Sequence, residues 1–231
     1  DPLSRLVAVE DAQGHIKTQT YDIRNRVLEV QGPNIGRMWF KYDKLGRVVR
    51  RGDARGAVIA TSYDALDRKM LEFDVEDQAG TERRWYHDET QEGCVQNGVD
   101  QCTHPAGKVV KMTFVSAGCP NEERCEEWYG YSSRAQMTYQ GKTLPDSNGF
   151  IFNSLSTYDN AERLTRSVYP DGRMVDFSYD GSGRLVALHQ GGKSLVEVKY
   201  NAQNLIEKQT YGNKVVDTFT YDKRLWLATR G

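Results

Sequence analysis

The octapeptides Tyr42-Asp43-Lys44-Leu45-Gly46-Arg47-Val48-Val49 and Tyr179-Asp180-Gly181-Ser182-Gly183-Arg184-Leu185-Val186 are two copies of one unit. Tyrosines in the same setting stand at Tyr21, Tyr42 and Tyr63 and again at Tyr158, Tyr179, Tyr200 and Tyr221, with a step of 21 residues inside each group. Six precede an aspartate (Asp22, Asp43, Asp64, Asp159, Asp180 and Asp222), and Tyr200 precedes Asn201. A fixed period of this size marks a repeat architecture, in which each unit buries its apolar surface only against its neighbours. A glycine lies six to nine residues upstream of six of these tyrosines: Gly14, Gly36, Gly56, Gly172, Gly192 and Gly212. The unit therefore reads glycine, extended run, Tyr-Asp-x-x-Gly-Arg-Leu, extended run. Asp1-Pro2-Leu3-Ser4-Arg5-Leu6 fits it without the tyrosine, which leads us to expect an excerpt of a longer array.

Each unit has a mechanical reading. An aspartate at the first position of a tight turn bonds its carboxylate to backbone N–H groups further on, and a glycine at the fourth accepts positive φ. Asp-x-x-Gly thus closes a β-hairpin by a type I turn plus a bulge. Asn25, Asp67 and Asn204 replace the glycine with residues that accept the left-handed conformation, whereas Glu162 accepts it poorly and predicts a looser turn. The runs before the tyrosines alternate as half-buried strands do. Met38, Phe40 and Tyr42, then Val175, Phe177 and Tyr179, then Val196, Val198 and Tyr200 form an apolar face, while Arg37, Trp39 and Lys41 point the other way. Strands of about seven residues, roughly 23 Å long, with two turns account for one unit. Equivalent tyrosines then lie about 10 Å apart with an aliphatic side chain between them, a packing ladder.

Composition narrows the class. The chain has 231 residues, 31 Lys+Arg against 32 Asp+Glu, 38% hydrophobic residues and a net charge of -1, and its mean hydropathy is -0.69. Balanced charge without a basic cluster gives no footprint for nucleic acid or for anionic lipid. No apolar run approaches the roughly 18 residues that a membrane-spanning helix needs, so no membrane insertion is expected of this segment.

Between Tyr86 and Tyr158 the period fails: the 72-residue gap contains all four cysteines, Cys94, Cys102, Cys119 and Cys125. Gly130-Tyr131-Ser132-Ser133-Arg134-Ala135-Gln136-Met137 still overlays the motif with Ser132 for aspartate, and Gly107-Lys108-Val109 resembles a Gly-Arg-Leu tail. The polar stretches 92–106 and 117–127 read as loops or short excursions, and the acidic run 122–127 as a solvated one. The organisation expected is hairpins over 1–86, irregular cysteine-bearing repeats over 87–157 and hairpins over 158–231, in one array. The shortest disulfide pairing joins Cys94 to Cys102 and Cys119 to Cys125, each pinning the shape of a local loop and stabilising it by at most about 3 kcal/mol. Free thiols in a reducing compartment and a four-cysteine metal site are the alternatives. Intervals of seven and five residues inside the pairs fit zinc poorly, since its ligands are usually two to four apart. If bridged, the protein matures outside the cytosol.

Chemistry-bearing constellations are missing. His15, His87, His104 and His189 are scattered, no nucleophile elbow or phosphate-binding loop occurs, and the repeated aspartates are explained by turn positions rather than by carboxylate-pair catalysis. We therefore expect no enzyme, no metal and no cofactor.

The recurring Tyr-Asp-x-x-Gly-Arg-Leu with an upstream glycine and a period near 21 resembles the YD repeat of the Rhs family, which includes bacterial polymorphic toxins, toxin-complex C components and teneurins. The resemblance covers 1–86 and 158–231 well and the middle weakly. In the final unit, Tyr221-Asp222-Lys223-Arg224-Leu225, the turn glycine is missing and Arg-Leu is shifted inward. The resemblance implies an all-β, antiparallel repeat sheet of YD hairpins, a curved or spiralling segment of a hollow shell. In toxin members the shell encloses a C-terminal effector, so the partners implied are the remainder of the same shell and its effector, in a secreted or contact-delivered protein. The alternative is a cell-surface adhesion or carbohydrate-binding module, with Trp39, Trp85 and Trp128 as stacking platforms for a glycan. A hydrolase has no residues to support it.

Overall fold

The computed structural model describes residues 1–88, 94–96, 99–119 and 124–231. Among them the chain is all-β apart from one helical turn. In chain order the strands are β1 (Ala8–Glu10), β2 (Ile16–Tyr21), β3 (Val27–Gly32), β4 (Gly36–Tyr42), β5 (Val48–Gly52), β6 (Val58–Tyr63) and β7 (Lys69–Asp74). Then come the helical turn α1 (Gln78–Thr81), β8 (Arg83–His87), β9 (Val95–Gln96), β10 (Val99–Asp100), β11 (Val109–Val115), β12 (Arg124–Tyr131), β13 (Met137–Lys142) and β14 (Phe152–Tyr158). The last seven are β15 (Leu164–Val168), β16 (Met174–Tyr179), β17 (Leu185–Gln190), β18 (Lys193–Tyr200), β19 (Ile206–Tyr211), β20 (Val216–Tyr221) and β21 (Leu227–Arg230).

These elements make two compact units, one of residues 1–89, 106–127 and 143–150, the other of 90–105, 128–142 and 151–231. In the first, β1 to β8 form an antiparallel meander in which every strand pairs with the next, and β11 pairs with β8. In the second, β13 to β21 form a meander of the same kind, and β9 and β10 make a small hairpin. β12 runs from the first unit into the second, changing at Glu127–Trp128.

Register is set at the tyrosines. Thr20 pairs with Glu29 but Tyr21 with Val27, so one residue is skipped, and the same bulge recurs at Tyr42, Tyr63, Tyr158, Tyr179, Tyr200 and Tyr221. The turn that follows needs one left-handed residue, which Gly46 and Gly183 supply at φ 90° and 82°, and Asn25, Asp67 and Asn204 at 63° to 65°. The looser turn expected at Glu162 does not occur. Glu162 takes φ 65°, and the turn closes with Asp159 N to Arg163 O at 2.9 Å and Glu162 N to Asp159 O at 3.0 Å. Two backbone hydrogen bonds and a carboxylate–guanidinium pair outweigh left-handed strain of about 1 kcal/mol.

The repeats make little core. Among described residues no apolar side chain before Cys94 is fully buried, and after Tyr158 only Ala187 and Val198 are; the rest of the core is Cys94, Cys102, Val110, Cys119, Cys125, Trp128 and Tyr139. The middle is also more regular than its composition predicts. Residues 124–127, expected in a loop, open β12, which buries Cys125 and Trp128. Glu126 is not merely solvated, because Lys111 Nζ lies 2.6 Å from its carboxylate.

Candidate functional site: the ladder of turns and the cystine-bearing insert

Asp43 organises its turn. Its Oδ1 accepts from the backbone N–H of Leu45 and of Arg47, each at 2.9 Å, and its Oδ2 accepts from Arg47 Nε at 2.7 Å. The same carboxylate-to-Nε bond closes the turns of Asp1 and Arg5, Asp22 and Arg26, Asp64 and Arg68, Asp159 and Arg163, and Asp180 and Arg184. Bonding to the arginine's backbone N–H, then to its side chain, holds the carboxyls of Asp22, Asp43, Asp64, Asp159 and Asp180 below the usual aspartate range.

Each arginine also reaches the following repeat. Arg47 Nη1 donates to the carbonyl of Asp64 at 3.0 Å and to Asp67 Oδ1 at 2.7 Å. Its guanidinium lies 4.9 Å from the centre of the Tyr63 ring, and the Tyr63 hydroxyl donates back to the Val48 carbonyl at 3.0 Å. The stack recurs as Arg5 on Tyr21, Arg26 on Tyr42, Arg163 on Tyr179 and Arg184 on Tyr200, at 4.5 to 4.9 Å. The hydroxyl staple recurs from Tyr21, Tyr42, Tyr179, Tyr200 and Tyr221 to the carbonyls of Leu6, Val27, Leu164, Leu185 and Ile206. The layer between successive tyrosines therefore holds, beside the aliphatic residue that the register sets opposite the tyrosine, as Val48 opposite Tyr42, the guanidinium of an arginine. A planar guanidinium can hold its own turn with one edge, the next turn with the other, and an aromatic ring with its face.

The same slots are filled by residues the motif does not announce. His87-Asp88 is a Tyr-Asp equivalent: His87 Nε2 lies 2.9 Å from the Lys69 carbonyl, where a tyrosine hydroxyl would be, and Arg68 Nη1 pairs with Asp88 at 2.6 Å. Asp88 N donates to the Lys108 carbonyl and Asp88 Oδ1 accepts from Gly107 N at 2.7 Å. His87-Asp88 and Gly107-Lys108 are thus two halves of one YD turn, and residues 89–106 are inserted into it. In the second unit Ser132 and Gln136 replace aspartate and arginine. Ser132 Oγ accepts from Arg134 N and Gln136 N, and Gln136 Nε2 donates onward to the Glu162 carbonyl at 3.1 Å. In the last unit Arg224 and Leu225, shifted inward, lie within a turn of the ordinary length. Asp222 N donates to the Trp226 carbonyl as in every other turn, Leu225 takes the left-handed position at φ 64°, and Trp226 occupies the arginine slot, 69% exposed.

Cys94 is bridged to Cys102 and Cys119 to Cys125. The first bridge does more than pin a loop, because both its cysteines pack with Trp128 and Tyr139 as the core of the second unit. Trp128 is 2% exposed, which leaves no ring face for a sugar. Trp39 and Trp85 are half-buried; Trp39 lies against Gly52, where a Cβ would collide with the indole. Lys41 and Lys69 sit over the two rings at 5.5 and 5.0 Å.

Among the described residues Glu82 is the one buried carboxylate of the first unit. Arg84 Nε and Nη2 donate to it at 2.7 and 3.0 Å, Arg124 Nη1 at 2.7 Å and Gln78 Nε2 at 3.4 Å. The Arg84 bonds first, and those of Arg124 and Gln78 after them, bring its pKa from 4.5 to about 2 against the opposing effect of burial. Among described residues, no group of three or more His, Cys, Asp or Glu could hold a metal ion. Among the described residues, no helix is long and apolar enough to cross a membrane.

The family model RHS Repeat matches residues 157–194. No curated protein gives a significant match. Among solved structures, TcdB2-TccC3-TEV is similar with a TM-score of 0.69 at 16% identity, over 96% of this chain and 13% of that one. TcdB2-TccC3-Cdc42 gives 0.68 and the Photorhabdus luminescens Tc holotoxin pore 0.56, at the same identity and coverage. At this identity the likeness is one of fold, and the chain spans 13% of the length of the chains it resembles.

Proposed function

We propose that the chain is a YD-repeat protein of the Rhs family and a non-catalytic wall segment of a shell that encloses a C-terminal effector, in a secreted or contact-delivered bacterial protein. The observation that carries this is the way the regular repeats are held. Turn is tied to turn by aspartate, arginine and tyrosine, while apolar side chains are almost never fully buried. Such a sheet draws its cohesion from along the array and needs no second layer, which suits a wall with water on either side. The two cystines support maturation in an oxidising compartment.

The test uses the complete protein. It is digested with a nonspecific protease, and the segment downstream of the repeats is followed by antibody. The expected result is a C-terminal segment that survives while surface loops are cut, and is degraded once the shell is opened by denaturant. Degradation of that segment in the native protein at the rate of an isolated peptide would overturn the proposal.

A further inference from the structure

In the second unit the arginine ladder stops short at Tyr221. Arg163 stacks on Tyr179 at 4.8 Å and Arg184 on Tyr200 at 4.7 Å, but the next arginine slot holds Leu205, in a turn that Asn201 closes in place of aspartate. A leucine side chain ends where an arginine would still have its Nε and guanidinium to come. Among the described residues no cation lies over the Tyr221 ring. The Asp222 carbonyl, counterpart of the Asp64 carbonyl that takes Arg47 Nη1, accepts only the Leu225 backbone N–H. Gln136, also neutral, does reach the following turn from its arginine slot. At Leu205 a cleft of about 400 Å³ opens instead, and Asn201, Tyr221, Asp222 and Leu225 line it. These are the repeat counterparts of Asp43, Tyr63, Asp64 and Asp67, the four residues that Arg47 meets in the first unit.

We propose that this cleft binds a guanidinium group brought from outside the array, in the place that an arginine fills in the other repeats. The charge of the cleft suits it. Lys208 pairs with Thr218, a register that sets Glu207 opposite Phe219, two residues before Tyr221 and so on the same face of the sheet as its ring. Glu207 and Phe219 both line the cleft, and Glu207 makes no ion pair among the described residues. Asp222 spends one carboxylate oxygen, Oδ1, on the backbone N–H groups of Arg224 and Trp226 and has no arginine in its own turn. Lys223 is the one cation in the lining, so the balance is negative. A planar guanidinium can lay its face on Tyr221 while its edges donate to the Asp222 carbonyl and the Glu207 carboxylate. An ammonium is a more strongly hydrated point charge without a face to stack or a fork of donors, and an anion would meet two carboxylates. The inference rests on the ladder and stands or falls apart from the shell.

The oxidised 231-residue protein is titrated with ethylguanidinium, agmatine, the blocked peptide Gly-Arg-Gly and, as the ammonium control, butylammonium, and its amide and tyrosine-ring NMR signals are followed. A guanidinium probe is expected to bind with a Kd of about 1 to 10 mM, with shifts centred on the Tyr221 ring and on 201–207 and 219–225, and butylammonium at least about fivefold more weakly. Tighter binding of the peptide than of agmatine assigns the slot to an arginine of a partner chain, and the reverse order to a small guanidine. Leu205→Arg supplies the guanidinium from within and should weaken agmatine by more than about tenfold. Glu207→Gln, at an exposed position, should weaken it by about threefold and keeps the test if Leu205→Arg fails to fold. No saturable shift with any guanidinium probe, equal binding of butylammonium, shifts centred elsewhere, or affinity unmoved by these variants would overturn the proposal.

Discussion

Replacing Glu82 by glutamine keeps its volume and removes its charge from a side chain that is 3% exposed. The folded protein holds this carboxyl at about 2 against an ordinary 4.5. The shift is downward, so the stability it represents is complete above pH 4.5 and is lost as the pH falls towards 2. A displacement of this size corresponds to about 3 kcal/mol. Arg84 and Arg124 are themselves 46% and 36% exposed and regain water when released, so Glu82→Gln should destabilise the first unit by about 2 to 3 kcal/mol at pH 7. At pH 2 the wild-type carboxyl is half protonated, and the difference between the two proteins should shrink to a small fraction of that. The turn aspartates titrate in the same direction, so the informative quantity is the gap between wild type and variant at each pH. Amide exchange of peptides spanning 78–88 and 109–117, measured across urea concentrations at pH 7 and pH 2.5, reads that gap locally, because Val115 N donates to the Glu82 carbonyl. A gap equal at both pH values, or absent at pH 7, would refute the reasoning.

Two further outcomes are expected. Asn201 and Leu205 already make a neutral YD turn with the Tyr221 staple intact at 2.8 Å. The double variant Asp43→Asn/Arg47→Leu should therefore recover part of the urea midpoint lost by Arg47→Leu alone, and strict additivity in the double-mutant cycle would contradict the coupled-turn account. Glu162→Asn puts a residue that tolerates φ 65° where glutamate is strained and should raise stability by about 1 kcal/mol in urea unfolding; no gain would show that the strain is relieved elsewhere.

The turns were legible because their chemistry is local. An aspartate, a left-handed residue and an arginine within five positions close a hairpin whatever surrounds them, and the 21-residue step repeats that event. The ladder was half legible. Tyrosine spacing announces a column, but that Arg26 also reaches the Tyr42 ring depends on how far a guanidinium extends across two strands. His87-Asp88 went unread as a repeat, since its turn is completed by Gly107-Lys108 only after an insertion, and a histidine in a tyrosine slot carries no signal of its own. One sign was available: Gly107-Lys108-Val109 already looked like a motif tail lacking its head. The neutral pair Ser132 and Gln136 showed as a degenerate motif.

From sequence alone followed the period, the all-β class, the hairpin turns and the pairing of neighbours in the chain, all products of short-range sterics and hydrogen bonding. Only the tertiary structure decided which side chains lie between the tyrosines, that Trp128 is core and Trp226 is surface, and that the Cys94–Cys102 bridge is buried. Those outcomes depend on contacts between residues far apart in the chain, where burial and partner geometry rather than residue type determine the result.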